Sequence, residues 1–272
     1  MTHKKLISVV VALSTLRSVI AITTLVVPLA FPVNSAYAFT PGYYYVGEAD
    51  TIPTNKASVS LPINAQTIGN APEHSLFEMS MSNVWGSSGN IIEIGITTDL
   101  ALNGDRNPHW FVFSWINGTP QGYDASSHFV SIIGSFWNTA LTPYEGTSEG
   151  VAFQYNAGNW WLTLNGASAG YFPGSEWSGG FNTSSVTQVF GEVYADGTFY
   201  PTLNGTVSGY NSSAGGHLST SVVNYPYTQS NASGTGFTAS GPVPEPSTLA
   251  LLAVGALGLL GYGWRRRGKA KA

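Results

Sequence analysis

GNWWLTLNG, residues 158–166, sets two tryptophans next to each other between turn-forming Gly and Asn residues. In a β-strand neighbouring side chains point to opposite faces, so Trp160, Leu162 and Leu164 form an apolar face and Trp161, Thr163 and Asn165 the other. Across the preceding NAGN (156–159), a hairpin signal, Val151, Phe153 and Tyr155 alternate with Ala152 and Gln154. The same two-residue period recurs in short runs at 76–85, 90–99, 110–116, 128–133, 150–156, 187–195 and 218–227, with NGDRNP (103–108) as another hairpin signal. No internal segment keeps a 3.6-residue period for three turns, and no internal repeat stands out. The pattern predicts an all-β fold, an antiparallel β-sandwich of two packed sheets.

The two ends read as addresses rather than as fold. Lys4 and Lys5, a long apolar run and the triplet Ala36-Tyr37-Ala38 predict a secretory signal over 1–38, with cleavage before Phe39; Arg17 within the run leaves an uncleaved anchor as the alternative. At the other end, 244–272, Pro244-Glu245-Pro246 is followed by an apolar stretch, 249–264, and then Arg265, Arg266 and Arg267. The stretch is a little short of the ~20 residues that span a bilayer comfortably, and the arginines would hold its far end in the cytoplasm. This three-part tail resembles the PEP-CTERM sorting signal of Gram-negative bacteria that make exopolysaccharide. The resemblance implies a transient inner-membrane anchor, removal by an exosortase, and a final place at the cell surface or in the extracellular matrix.

Between these ends the basic residues of 39–240 are Lys56 and Arg106, against thirteen acids, the fourteen of the chain less Glu245. So acidic a domain is a poor partner for nucleic acid or anionic lipid. With no cysteine, disulfides and thiolate chemistry are excluded together. Residues 39–70 show little pattern and are expected to form an extended arm, 71–229 the sandwich, and 230–243 a flexible linker to the tail.

In NIIEIGITTD (90–99) Ile92, Ile94 and Ile96 share one face, which leaves Glu93 on the other beside Gly95, a residue that would leave room for a ligand. TQVFGEVYA (187–195) repeats the device, with Val189, Gly191 and Val193 opposite Gln188, Phe190, Glu192 and Tyr194. A mid-strand Glu is commonly a solvated face residue, but two strands presenting one each are candidates for paired acid–base work. Trp161, on the polar face of its own strand, is either a flat wall for a substrate or a ring covered by the arm.

The run GNWWLTLNGASAGYFP (158–173), with QVFGEVYADG (188–197) after it and IIEIGITTDLALNGDRNPHWFVFSW (91–115) before it, resembles the neprosin family of secreted glutamic peptidases. The resemblance implies an antiparallel β-sandwich with two catalytic glutamates in a cleft across one sheet, and cleavage after proline in acid. The family's Glu-x-Gly glutamate falls on Glu93 and its Gly-Glu-Val glutamate on Glu192. Ile96 and Phe190 stand where family patterns have Trp and Gly.

Two close carboxyls cannot both ionise cheaply, so one keeps its proton while the other draws a proton from water, an arrangement that favours acid conditions. The sequence does not assign the two roles; Gln154, Gln188 and Tyr194 are candidates, by face alone, to hold a developing oxyanion. No cofactor and no metal are expected, since the five histidines are scattered without an H-E-x-x-H. GTSEG (146–150) matches G-x-S-x-G, yet Ser148 precedes a strand in a Gly-rich loop and lacks the strand-to-helix turn of a nucleophile elbow. The sequence therefore predicts an exported glutamic endopeptidase acting on peptide or protein. A glycoside hydrolase, which also uses two carboxyls, and a non-catalytic lectin-like matrix protein are the alternatives.

Overall fold

A computed structural model describes residues 40–123, 128–242, 255–257 and 259. The signal over 1–38 with its cleavage before Phe39, and most of the sorting tail with its apolar stretch 249–264, lie outside the described residues. Among the described residues no helix is long and apolar enough to cross a membrane.

Among the described residues, fifteen strands form two packed antiparallel sheets. They are β1 (Gly42–Asp50), β2 (Lys56–Ile63), β3 (His74–Ser82), β4 (Ile91–Asp99), β5 (Pro108–Ile116), β6 (Thr119–Tyr123), β7 (Val130–Ser131), β8 (Thr147–Asn156), β9 (Asn159–Leu164), β10 (Ala167–Pro173), β11 (Val186–Ala195), β12 (Gly205–Ser212), β13 (Thr220–Val223), β14 (Thr228–Ser230) and β15 (Phe237–Ser240). One sheet runs β13-β1-β11-β3-β4-β5-β6, the other β14-β15-β12-β2-β8-β9-β10-β7.

The alternation that predicted the strands builds the core. Ile92, Ile94 and Ile96 of β4, Phe77, Met79 and Met81 of β3, and Val189 and Val193 of β11 point inward from the first sheet. They join one cluster with Val59, Leu61 and Ile63 of β2, Val151 and Phe153 of β8, and Trp160 and Leu162 of β9. Trp160 is fully buried, and its indole N–H donates to the Phe181 carbonyl at 2.6 Å, so its one polar atom is satisfied inside the core. The NAGN turn joins β8 to β9 with Ala157 and Gly158 both at positive φ, the backbone of a tight two-residue hairpin loop.

Several segments differ from their expected form. Residues 39–70, expected as an arm, supply β1 to one sheet and β2 to the other. β1 begins with three tyrosines and is buried on both faces from Val46 to Asp50, because β11 and β13 flank it, so no alternation marks it. β2 does alternate, with Ala57, Val59, Leu61 and Ile63 set against serines, but carries Pro62, which argues against a ladder strand. The expected linker contains β15 and the end of β14, paired with each other and carried into the second sheet by β12. In place of a simple hairpin turn at 103–108, a four-residue helix, α1 (Leu100–Asn103), follows β4, capped by the Asp99 carboxylate and closed by Gly104 at positive φ.

Candidate active site

On its outer face, the seven-stranded sheet carries a cleft of about 660 Å³. The strand register lays its floor out in rows. One row is Ala49, Gln188, Ser80, Glu93, Phe113 and Tyr123; the next is Gly47, Phe190, Glu78, Gly95 and Phe111; the third is Tyr45, Glu192, Leu76 and Thr97; the fourth is Tyr43, Tyr194, His74 and Asp99. Glu93 and Glu192 are therefore on β4 and β11, with β3 between them, and two rows apart. Glu78 of β3 occupies the middle of that diagonal. Each diagonal step between strands is about 7–8 Å at Cα, so the two outer glutamates converge only through their side chains and only across Glu78.

Burial and mutual repulsion set the protons of this group. Removal from water, and then the charge of Glu192, push the Glu93 pKa up to about 8; the Trp115 indole N–H favours the anion slightly from just outside hydrogen-bonding geometry. Glu78 is raised well above the usual carboxylate range by burial first, then by Glu93 and Glu192. Glu192 differs from both in its partner: His74 Nε2 lies 3.0 Å from its Oε1. The other face of that imidazole meets Asp99, Nδ1 to Oδ2 at 3.9 Å, and Asp99 is itself fixed by accepting the Ala101 and Leu102 backbone N–H groups at the start of α1. Tyr194 stacks on His74, and the Tyr43 ring closes over Tyr194 at 4.9 Å. The Tyr45 hydroxyl keeps its proton through burial and the nearby Glu192 charge.

The walls are aromatic: Tyr43, Tyr45, Phe190, Phe111, Phe113, Trp115 and Tyr123 line the cleft, with exposed Trp85 at its rim. The space expected above Gly95 is filled, because a Cβ there would strike the Phe111 ring. The glycine thus admits a neighbouring side chain, not a ligand. Phe190 similarly packs against Gly47, whose missing side chain lets the two strands carry that ring. Among the described residues, no group of three or more His, Asp or Glu side chains is arranged to hold a metal ion.

The structure brings Glu93, Glu192, Gln188 and Tyr194 to one face, while Gln154 and Trp161 belong elsewhere. Both lie on β8 and β9 of the eight-stranded sheet, in register with each other, facing away from its core. Trp161 is neither a cleft wall nor covered by the residues expected as an arm; its ring packs on Tyr171 of β10 at 4.7 Å. Tyr194 reaches Glu192 only through His74, which leaves Gln188 as the predicted polar residue lining the cleft.

Residues 72–231 match the sequence pattern of Neprosin, well over half of the chain. The chain belongs to the neprosin family. A PEP-CTERM protein-sorting motif matches residues 242–267, which supports export with a tail that anchors to the membrane before processing. Similar solved structures include scytalido-glutamic peptidase with a transition state analog inhibitor, 13% identical with a TM-score of 0.46, covering 74% of this chain and 99% of that one. SCP-B, a member of the Eqolisin family of peptidases in complex with a tripeptide, is 11% identical with a TM-score of 0.42 over the same shares. Sheep galectin-11 is also similar, 9% identical with a TM-score of 0.30, covering 57% of this chain and 94% of that one. The assignment rests on the neprosin match and not on these distant likenesses.

Two site residues escape the sequence reading although their signal is present. HSLFEMSMS puts His74, Leu76, Glu78 and Ser80 on one face and Phe77, Met79 and Met81 on the other, the same device that marks Glu93 and Glu192. A carboxyl on β3 would be singled out once β3 is known to run between β11 and β4.

Proposed function

We propose that this neprosin domain is an exported glutamic endopeptidase in which Glu192 is the general base and Glu93 the general acid. The observation that carries the reading is the asymmetry of the pair. Glu192 has a polar partner, His74 Nε2 at 3.0 Å, whereas Glu93 is flanked by aromatic rings that keep its proton on. Glu192 draws a proton from water as the water oxygen attacks the peptide carbonyl carbon. Glu93 donates its proton to the carbonyl oxygen; as the C–N bond of the resulting gem-diol breaks, Glu192 passes the proton it took from water to the leaving nitrogen and Glu93 recovers a proton from a gem-diol hydroxyl. Burial and the Glu192 charge raise Glu93 to about 8, which keeps the proposed acid protonated in acid and at neutral pH. Gln188, in the Glu93 row, is placed to bind the peptide backbone.

The aromatic walls suit a pyrrolidine ring, which supports preference for proline at the cut. The peptidase reading stands ahead of a glycosidase on the neprosin match. In this reading an exosortase trims the tail and leaves the domain outside the cell. The test is hydrolysis of a proline-containing peptide library from pH 3 to 9, with Glu93→Gln and Glu192→Gln compared with the unaltered protein. Cleavage that vanishes in both folded variants supports the pair; cleavage that survives either change removes it.

A further inference from the structure

The sheet register places Glu78 where no peptide could bridge Glu93 and Glu192 without passing over it. It lies on the strand between theirs and in the row between theirs, 5% exposed, and lines the cleft. We propose that Glu78 is a third functional carboxyl, a hydrogen-bond donor that grips the backbone of the bound peptide between the base and the acid. The inference rests on the peptidase reading and adds to it a substrate-binding group.

The other deeply buried carboxylates have partners in the protein: Asp50 accepts from the Ile52 N–H and the Tyr210 hydroxyl, Glu73 from the Gly69 and Asp196 N–H groups, and Glu48 from the Gln229 amide through Oε1, its Oε2 alone being unpaired. Glu78 makes no hydrogen bond to any described residue, and no lysine or arginine lines its cleft. Lys56 is on the other sheet, and Arg106 is engaged with the Gly69 carbonyl. Its oxygens open onto the cleft rather than into the core, a partly desolvated polar group where a purely structural role would be served by an apolar side chain, as at its neighbour Leu76.

The surroundings then fix which form waits there. Phe190 flanks Glu78 in its row on one side, and Phe111, lying over Gly95, flanks it on the other. Low dielectric and two neighbouring carboxyls both favour the neutral acid, which presents one O–H donor. An extended peptide lying in the cleft brings a line of carbonyl acceptors, and the Glu78 hydroxyl is the donor positioned at its centre. Gain of that bond on binding offsets the penalty of leaving Glu78 unpaired in the empty cleft.

The experiment compares Glu78→Leu and Glu78→Gln with Glu93→Gln and Glu192→Gln on one cleaved proline-containing peptide, with thermal unfolding measured for each. Glu78→Leu is expected to melt at or above the unaltered protein while kcat/KM falls about 10–100-fold, the worth of one hydrogen bond inside the cleft. Glu78→Gln, whose amide still donates, is expected to stay within several-fold. Binding of the same peptide to full-length Glu192→Gln, with and without Glu78→Leu, should weaken by a comparable factor and needs no turnover. Unchanged kcat/KM and unchanged peptide binding in Glu78→Leu would overturn the inference, as would a Glu78→Gln loss equal to that of Glu78→Leu. Full activity in either Glu93→Gln or Glu192→Gln would instead sink the paired-glutamate reading, and this inference with it.

Discussion

The two sheets of the sandwich carry similar outer faces in sequence and very different ones in space. On the seven-stranded sheet, Glu93, Glu78 and Glu192 line up across adjoining strands β4, β3 and β11 beneath a wall of aromatic rings. On the eight-stranded sheet, Gln154, Trp161 and Tyr171 line up across β8, β9 and β10 just as closely, but Gln154 is itself exposed and its row ends in exposed Lys56 and Val130. A polar-face position becomes a site when flanking strands bring matching chemistry beside it and aromatic walls keep out water.

The sharpest way to break this contrast is at the acid. Glu93→Gln keeps the shape of the side chain but has no proton to give, and kcat/KM on a proline-containing peptide is expected to fall about 10²–10⁴-fold. A change of similar size from Gln154→Ala, on the other sheet, would erase the distinction between the faces. A smaller effect is expected at His74, which in the proposed mechanism is a positioning residue acting through Glu192. His74→Ala removes one hydrogen bond to a charged group, worth about 10–100-fold. The loss should fall on kcat, with KM little altered and the acid side of the pH–rate profile displaced; a purely structural His74 would lower the melting temperature and leave that profile in place.

Stability offers a third comparison. The Glu93 pKa is raised on folding, so the folded state binds more protons than the unfolded chain between the usual carboxyl value of 4.5 and about 8. Its contribution is then fully present below the unfolded value and is lost as pH rises through the folded one. Unfolding free energy should fall by about 2–4 kcal/mol over that interval, allowing for water that reaches the cleft, and Glu93→Gln should make the curve shallower, leaving the part due to Glu78. Melting temperatures at several pH values give the slope; a stability that rises over this range would contradict the assignment of the buried proton. The smallest effect is expected at Trp161→Ala, which should lose the Tyr171 contact, about 0.5–1.5 kcal/mol beyond burial, and leave hydrolysis unchanged.

Much of this was legible in the chain. The alternation in β4, β9 and β11 put Ile92, Ile94, Trp160, Leu162, Val189 and Val193 in the core and Glu93 and Glu192 on the opposite face. Periodicity reports faces within a strand, however, and not which sheet a strand joins. That is why Trp161 and Gln154 were grouped with glutamates that belong to another sheet. β1 was hidden by burial on both faces, and β12 by its Gly- and Ser-rich composition. Glu78 was visible as a residue but not as a site, since its meaning depends on β3 lying between β11 and β4, a pairing set by tertiary packing.

The central claim is that hydrolysis belongs to the carboxyls of the seven-stranded face. Its most direct test is kcat/KM of Glu192→Gln on a peptide the unaltered protein cleaves, with the melting temperature as a check on folding. The account predicts a fall of about 10²–10⁴-fold in a variant that still folds. A folded Glu192→Gln within about threefold of the unaltered protein would place the chemistry elsewhere, since losing a general base costs far more than that.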